Sequence, residues 1–218
     1  DIYDANFTTR IGEFDTRGNA VFIPEANRAG RAEAPADALW AIGELDAIGF
    51  SPFSIDTIDP AEIEPLAETY QLIADLRPLI AEVQGTDRLA GLRPDIAADG
   101  SLMTDGETIV MGGYEMTATF LDPWTPVDAR TPETSGALII ETDEDEFLIA
   151  GKGVTLTFAP SDEAEGFAGI EWARAGRHED GVWQPGLWLN GDQTHQGRHI
   201  RLPPGTVSVQ RFKLYTYK

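Results

Sequence analysis

The pattern of the chain changes near Arg88, and that change limits its possible folds more than any single motif does. From there to the end, helical periodicity is absent and turn dipeptides recur: Asp99-Gly100, Asp105-Gly106, Asp180-Gly181 and Asn190-Gly191. Between them lie segments rich in β-branched and aromatic residues with alternating faces, such as Tyr114 to Phe120. Ala137 to Ile140, Glu146 to Ala150, Val154 to Phe158 and Val207 to Tyr217 read the same way. Short strands at this spacing predict an antiparallel β-sandwich over residues 85–218.

Residues 1–84 follow another rhythm. Asn6 to Phe14 has weak helical periodicity that stops at Gly18. Ala20-Val21-Phe22-Ile23, bounded by Pro24, is continuously apolar and reads as a strand buried on both faces. Pro35 suits a first helical turn, and Ala36 to Leu45 carries that helix. A second apolar run, Ala47 to Phe50, ends at Ser51-Pro52. Asp59-Pro60-Ala61-Glu62 then opens a longer helix, with Asp as N-cap and Pro at the first position. Ile63, Leu66, Tyr70, Ile73 and Leu76 give it one apolar stripe, with a kink expected at Pro78 and an end at Gly85.

Strand, helix, strand, helix is a β-α-β-α run, and two such units cannot close a sheet. A parallel strand apolar on both faces needs neighbours on both edges and helices on both sides. An eightfold barrel supplies these in about 250 residues. The expected fold is therefore the last two β/α units of a (β/α)8 TIM barrel over 1–84, followed by the antiparallel β-sandwich. A small open α/β layer resting on the sandwich is the alternative.

The net charge of −21 repels phosphate backbones and anionic lipid surfaces, so neither nucleic acid nor membrane is an expected partner. No run approaches the roughly 18 apolar residues that span a bilayer. Asp1-Ile2-Tyr3-Asp4 does not read as a leader peptide. Cys is absent, which removes disulfides, thiolate catalysis and Cys-based metal sites and leaves the compartment open. A phosphate-binding glycine loop and a Gly-x-Ser-x-Gly elbow are also absent.

The residue with chemical promise is Glu25, which directly follows the first buried run in Phe22-Ile23-Pro24-Glu25-Ala26. Barrel enzymes carry their chemistry where strands end, so a carboxylate there should be partly buried and rigidly held. Retaining glycosidases need such a group to attack the anomeric carbon while a second acid protonates the leaving oxygen. A helix cap or salt-bridge partner is the plainer reading of a Glu after a strand.

Val21-Phe22-Ile23-Pro24-Glu25-Ala26-Asn27-Arg28, Trp40-Ala41-Ile42-Gly43 and Asp46-Ala47-Ile48-Gly49-Phe50-Ser51-Pro52-Phe53 resemble bacterial β-galactosidases of glycoside hydrolase family 35. The resemblance is to the subgroup with an uncharacterised C-terminal β-sandwich domain, which Glu146 to Gly151 and Leu189 to His199 also resemble. It extends over nearly the whole chain. By that resemblance Glu25 is the nucleophile at the end of the seventh barrel strand. The implied reaction releases terminal β-galactosyl residues from oligo- or polysaccharides through a covalent glycosyl-enzyme, without metal or cofactor. A periplasmic or secreted bacterial parent is implied as well. The family's general acid lies in an Asn-Glu pair, and no such pair occurs here. The implied partner is thus the missing N-terminal barrel part of the same enzyme, and this chain alone is expected to be inactive. A non-catalytic carbohydrate-binding or structural sandwich module is the rival.

Phe50, Ser51 and Phe53 follow the second apolar run and are expected at the same mouth, with Asp56 on their loop as an acceptor for sugar hydroxyls. Arg28 is a candidate hydrogen-bond donor to a carboxylate there, or simply a solvated loop residue. His195 and His199 are four apart, but their Gly- and Pro-rich surroundings read as a loop tying sandwich to barrel rather than a metal pair. The acidic run Glu141 to Glu146 reads as a solvated hairpin, not a calcium loop. Trp124, Trp172, Trp183 and Trp188 suit either a sugar-stacking platform or, as is commoner in a sandwich, the core.

Overall fold

The computed structural model describes residue 11 and residues 20–97, 101–104, 106–121, 124–161, 166–179 and 181–218. Apart from Ile11, the weak helical run Asn6 to Phe14 lies outside the described residues, as do Asp99-Gly100, Asp105 and Asp180 of the expected turns.

The fold is mostly β, and its larger sheets are antiparallel. Six strands form one sheet in the order β12 (Val182–Trp188), β11 (Phe167–Glu179), β14 (Ser208–Tyr217), β9 (Glu146–Lys152), β8 (Gly136–Asp143), β3 (Leu89–Leu92). Four more form a second sheet in the order β13 (His199–Leu202), β10 (Val154–Pro160), β7 (Tyr114–Thr119), β6 (Glu107–Met111). A short ribbon pairs β4 (Asp95–Ile96) with β5 (Leu102–Met103). Between the two larger sheets lies a core of alternate residues, including Leu92, Met116, Ile139, Phe147, Ile149, Leu156, Phe212 and Leu214. Phe147 and Phe212 stack there with centroids 5.5 Å apart. Period-two alternation sends their neighbours to the other face.

That other face of the six-stranded sheet carries the second core. Leu89, Leu138, Ile140, Leu148, Ala150 and Val209 share a core with helices α1 (Ala34–Glu44) and α2 (Pro60–Val83), which rest on the sheet, and with strands β1 (Phe22–Arg28) and β2 (Gly49–Phe53). Asp59 caps α2, accepting the Ala61 N–H at 2.9 Å. Its last turn closes with the Gln84 N–H on the Ile80 carbonyl, before Gly85 at φ 79°. The helix runs unbroken through Pro65 and Pro78. Helix α1 lies directly on β3: a Cβ at Gly91 would come within 2.7 Å of the Trp40 Cα, so only glycine admits this approach.

The barrel expectation is overturned. β1 and β2 pair in parallel with α1 between them, yet they form a separate two-stranded sheet. The helices pack on an antiparallel sheet of the same chain, and the apolar side of the strands joins the same core. Continuous apolarity in Ala20 to Ile23 does not mean burial on both faces: Ile23 is buried and Phe22 is 57% exposed. β1 also runs on through Pro24 instead of stopping there. Its pairing to β2 uses one edge, which leaves room for a residue lacking an N–H.

Candidate active site

The register of the parallel pair decides where the predicted residues point. Ile23 lies opposite Phe50 and Ala26 opposite Pro52, and all four are buried. Three steps along β1 thus match two along β2, and the extra residue falls in the Pro24-Glu25 stretch. Such a bulge re-aims the side chains within it. Glu25 is exposed, on the side away from Ile23 and Ala26. Arg28 lies opposite Phe53, and both are exposed. Ser51, half-buried, alternates with Phe50 and so shares the outer side with Phe53.

The structure therefore gathers Glu25, Arg28, Ser51 and Phe53 on one face. Phe50 does not join them: it is buried in the core, and its carbonyl accepts the Tyr70 hydroxyl at 2.7 Å. Asp56 is exposed in the turn that follows β2, where Ser54 adopts a left-handed φ of 63°. That turn meets the loop after β1, since the Ala29 N–H donates to the Phe53 carbonyl at 3.0 Å and Gly30 packs on Ile58. Both strand ends thus open at one rim. The expected partial burial of Glu25 is not met, since its side chain is exposed. Phe22, Ile48, Phe53 and Ile55 leave that region with exposed apolar surface. A cavity of about 430 Å³ runs beside β2, lined by Ile48, Phe50, Tyr70, Ile73 and Arg77 among others.

The remaining candidates separate. His195 and His199 stack on each other with centroids 5.0 Å apart, and Trp124 packs 5.0 and 4.8 Å from them. Their loop is held by its own bonds: the Thr194 and Asp192 N–H groups donate to Asn190, and the Gly197 N–H to Thr194 Oγ1. It ties β13 to β11 through the Ile170 N–H and the Gly197 carbonyl, so it joins the two sheets and not the helical layer. Among the described residues no group of three or more His, Asp or Glu is arranged to hold a metal. The acidic run is the β8–β9 hairpin, where Asp145 accepts the Tyr114 hydroxyl at 2.9 Å. Of the tryptophans, Trp183 packs against the helix-side core, whereas Trp188 is 57% exposed.

Sequence reading missed a buried ion pair. Arg93 donates to Asp37 between β3's end and α1, with both side chains almost wholly enclosed. Burial pushes the Asp37 carboxyl up to about 6, against the pull of the Arg93 guanidinium. Asp37 lies in the first turn of a helix, where an acid is ordinary, so its burial left no local sign.

A two-sheet antiparallel β fold with a helical layer and an outlying parallel strand pair defines the class of protein. The family model described as a domain of unknown function (DUF5597) matches residues 66–201, and the chain belongs to that family. The match runs from α2 to β13 and does not reach Glu25. No curated protein matches the chain.

Proposed function

We propose that this chain is part of a retaining glycoside hydrolase of the β-galactosidase type, in which Glu25 is the nucleophile. The observation that carries the reading is the company of Glu25: a bulged position in the middle of a parallel strand, sharing an outer face with Arg28, Ser51 and Phe53. The resemblance of the surrounding Pro-Glu stretch to family 35 enzymes supports it as well. An aromatic face such as Phe53 suits the C–H side of a galactose ring, and Ser51 and Asp56 suit its hydroxyls.

In the first step the Glu25 carboxylate bonds to the anomeric carbon as the bond to the aglycone oxygen breaks. A second carboxylic acid gives that oxygen its proton. Water then displaces Glu25, losing its proton to the same second carboxylate. The two groups must stand about 5–5.5 Å apart. The sequence has no Asn-Glu pair to supply the acid in the family's manner. The reading therefore assigns the acid to the remainder of the enzyme, which packs over the exposed face of β1 and β2. This chain by itself does not turn over substrate.

Deleting the nucleophile tests the assignment. In the intact enzyme, Glu25→Gly abolishes hydrolysis of an activated aryl β-galactoside, and added azide restores aglycone release with α-galactosyl azide as product. Recovery of the β-azide, or near-normal hydrolysis without azide, would count against Glu25.

A further inference from the structure

Strand β14 alternates with a consequence for the surface. Phe212 and Leu214 face the core between the sheets, so Arg211, Lys213, Tyr215 and Tyr217 project from the opposite side. This is the face that α1 and α2 cover further along, at Val209. Beyond the helices its Tyr215 and Tyr217 are exposed. The neighbouring strands add to it in register. Phe167 lies opposite Tyr217, Trp172 opposite Lys213 and Arg174 opposite Arg211. On the sheet's edge, Trp188 lies opposite Arg174. A bulge between Ile170 and Trp172 changes the phase of β11, which brings both Phe167 and Trp172 to this side.

The side chains tile the surface. Phe167 and Tyr217 have centroids 5.7 Å apart, Tyr215 and Tyr217 5.6 Å, and Trp172 and Trp188 6.1 Å. Tyr215 lies over Gly169, whose missing side chain makes room for the ring. The Arg174 guanidinium sits 4.8 Å from the Trp188 ring centre. Phe167 is 66% exposed, Trp188 57%, Tyr217 48% and Tyr215 43%. From Arg211 to Tyr217 the row runs about 20 Å along the strand.

We infer that this open sheet face binds an anionic polysaccharide, its aromatic rings stacking on the sugars and Arg174, Arg211 and Lys213 pairing with carboxylate or sulfate groups. Charge decides the occupant. The chain carries 37 acidic against 16 basic residues, yet three cations stand together here: Arg211 and Lys213 both pair with Glu146, and Arg174 lies opposite Arg211. The acidic β8–β9 hairpin borders the patch, and Glu171 is exposed at the β11 bulge. The Phe167, Tyr215 and Tyr217 rings, tilted by 33° from one to the next, and the Trp188 ring, set at 83° to Trp172, offer aromatic faces to the C–H sides of sugars, while arginine and lysine offer only donors. The surface is separate from Glu25 and does not depend on its role.

The test measures binding of the full chain to an oligogalacturonate, a sulfated galactan, a neutral β-galactan and polyglutamate. Binding to the oligogalacturonate alone identifies carboxylate as the recognised group, and binding to the sulfated galactan alone identifies sulfate; either result, or both, supports the site. Trp172→Ala with Trp188→Ala weakens that binding about tenfold or more, as loss of ring stacking at two positions implies. Arg174→Gln, a milder change, weakens it too, and raising the salt concentration weakens it for the unaltered chain. Equal binding of the neutral galactan or of polyglutamate overturns the proposal, as does binding that these substitutions leave unchanged. So does self-association of the chain that Trp188→Ala abolishes, which would make the face a contact between copies. Because the readout is glycan binding and not chemistry at Glu25, failure here leaves the hydrolase reading standing, and the reverse holds.

Discussion

Replacing Asp37 with alanine strands Arg93 in the interior. The Arg93 guanidinium cannot shed its proton, and with Asp37 gone it keeps the Pro94 carbonyl at 3.1 Å, the Trp40 ring at 5.9 Å and the weaker attraction of Glu33 and Glu107. A buried charge that has lost its counterion costs about 3–5 kcal/mol. The reciprocal change, Arg93→Met, is milder. Burial already holds Asp37 up to about 6, so without the attraction of Arg93 it takes up a proton at pH 7 and becomes a neutral acid. Its cost is then that of an under-bonded polar group, about 1–3 kcal/mol. Against a total stability of about 5–15 kcal/mol, the first loss is large and the second moderate. Urea unfolding at pH 7, followed by fluorescence and analysed as midpoint shifts at constant slope, separates the two. Arg93→Met costing as much as Asp37→Ala, or both costing under about 1 kcal/mol, would refute this account of the pair.

Two further outcomes are expected. Burial raises Asp37 to about 6 and Glu107 to about 7, so the folded chain holds protons that the unfolded chain has released. The stability these groups contribute is complete below their unfolded values near pH 4 and is lost as pH rises through 6 and 7. His178, lowered by burial, opposes this below about pH 6.5 but is one group against two. The melting temperature therefore falls between pH 5.5 and 7, and Asp37→Asn reduces the fall; a rise over that interval contradicts the assignment. Gly43→Ala would bring a Cβ to 2.6 Å from the Ala90 carbonyl carbon and closer still to the Gly91 nitrogen, both backbone. Overpacking of about 1–3 kcal/mol lowers the melting temperature by roughly 2–12 °C, and a shift under about 1 °C would show that α1 and β3 separate freely.

Strand positions were legible because period-two alternation and turn dipeptides report local geometry. The run Glu146 to Ala150 became β9, and Val154 to Phe158 became β10. The start of α2 was legible for a similar reason, since Asp59 and Pro60 act within one turn. What covers a strand is a tertiary fact. Ile23 and Phe50 are apolar whether their neighbours are further parallel strands or helices that rest on an antiparallel sheet, and the structure has the latter. The same ignorance misdirected Phe50, which alternation alone sends inward or outward according to what lies beneath. Lys213, Tyr215 and Tyr217 alternate visibly, but the bulge at Ile170–Trp172 and the reach of the helices decide that their face is open. Neither leaves a mark in the residue pattern. Glu25 was found through its neighbours in sequence, and its bulge became apparent only from the pairing of β1 with β2.

The proposed hydrolase function turns on a covalent bond to one side chain. Incubating the intact enzyme with a 2-deoxy-2-fluoro-β-galactosyl fluoride and mapping the modified peptide by mass spectrometry reads that bond directly. The fluorogalactosyl group is expected on the peptide containing Phe22-Ile23-Pro24-Glu25-Ala26, at Glu25 itself. A label on a different carboxylate, or turnover with no trapped adduct, contradicts the claim.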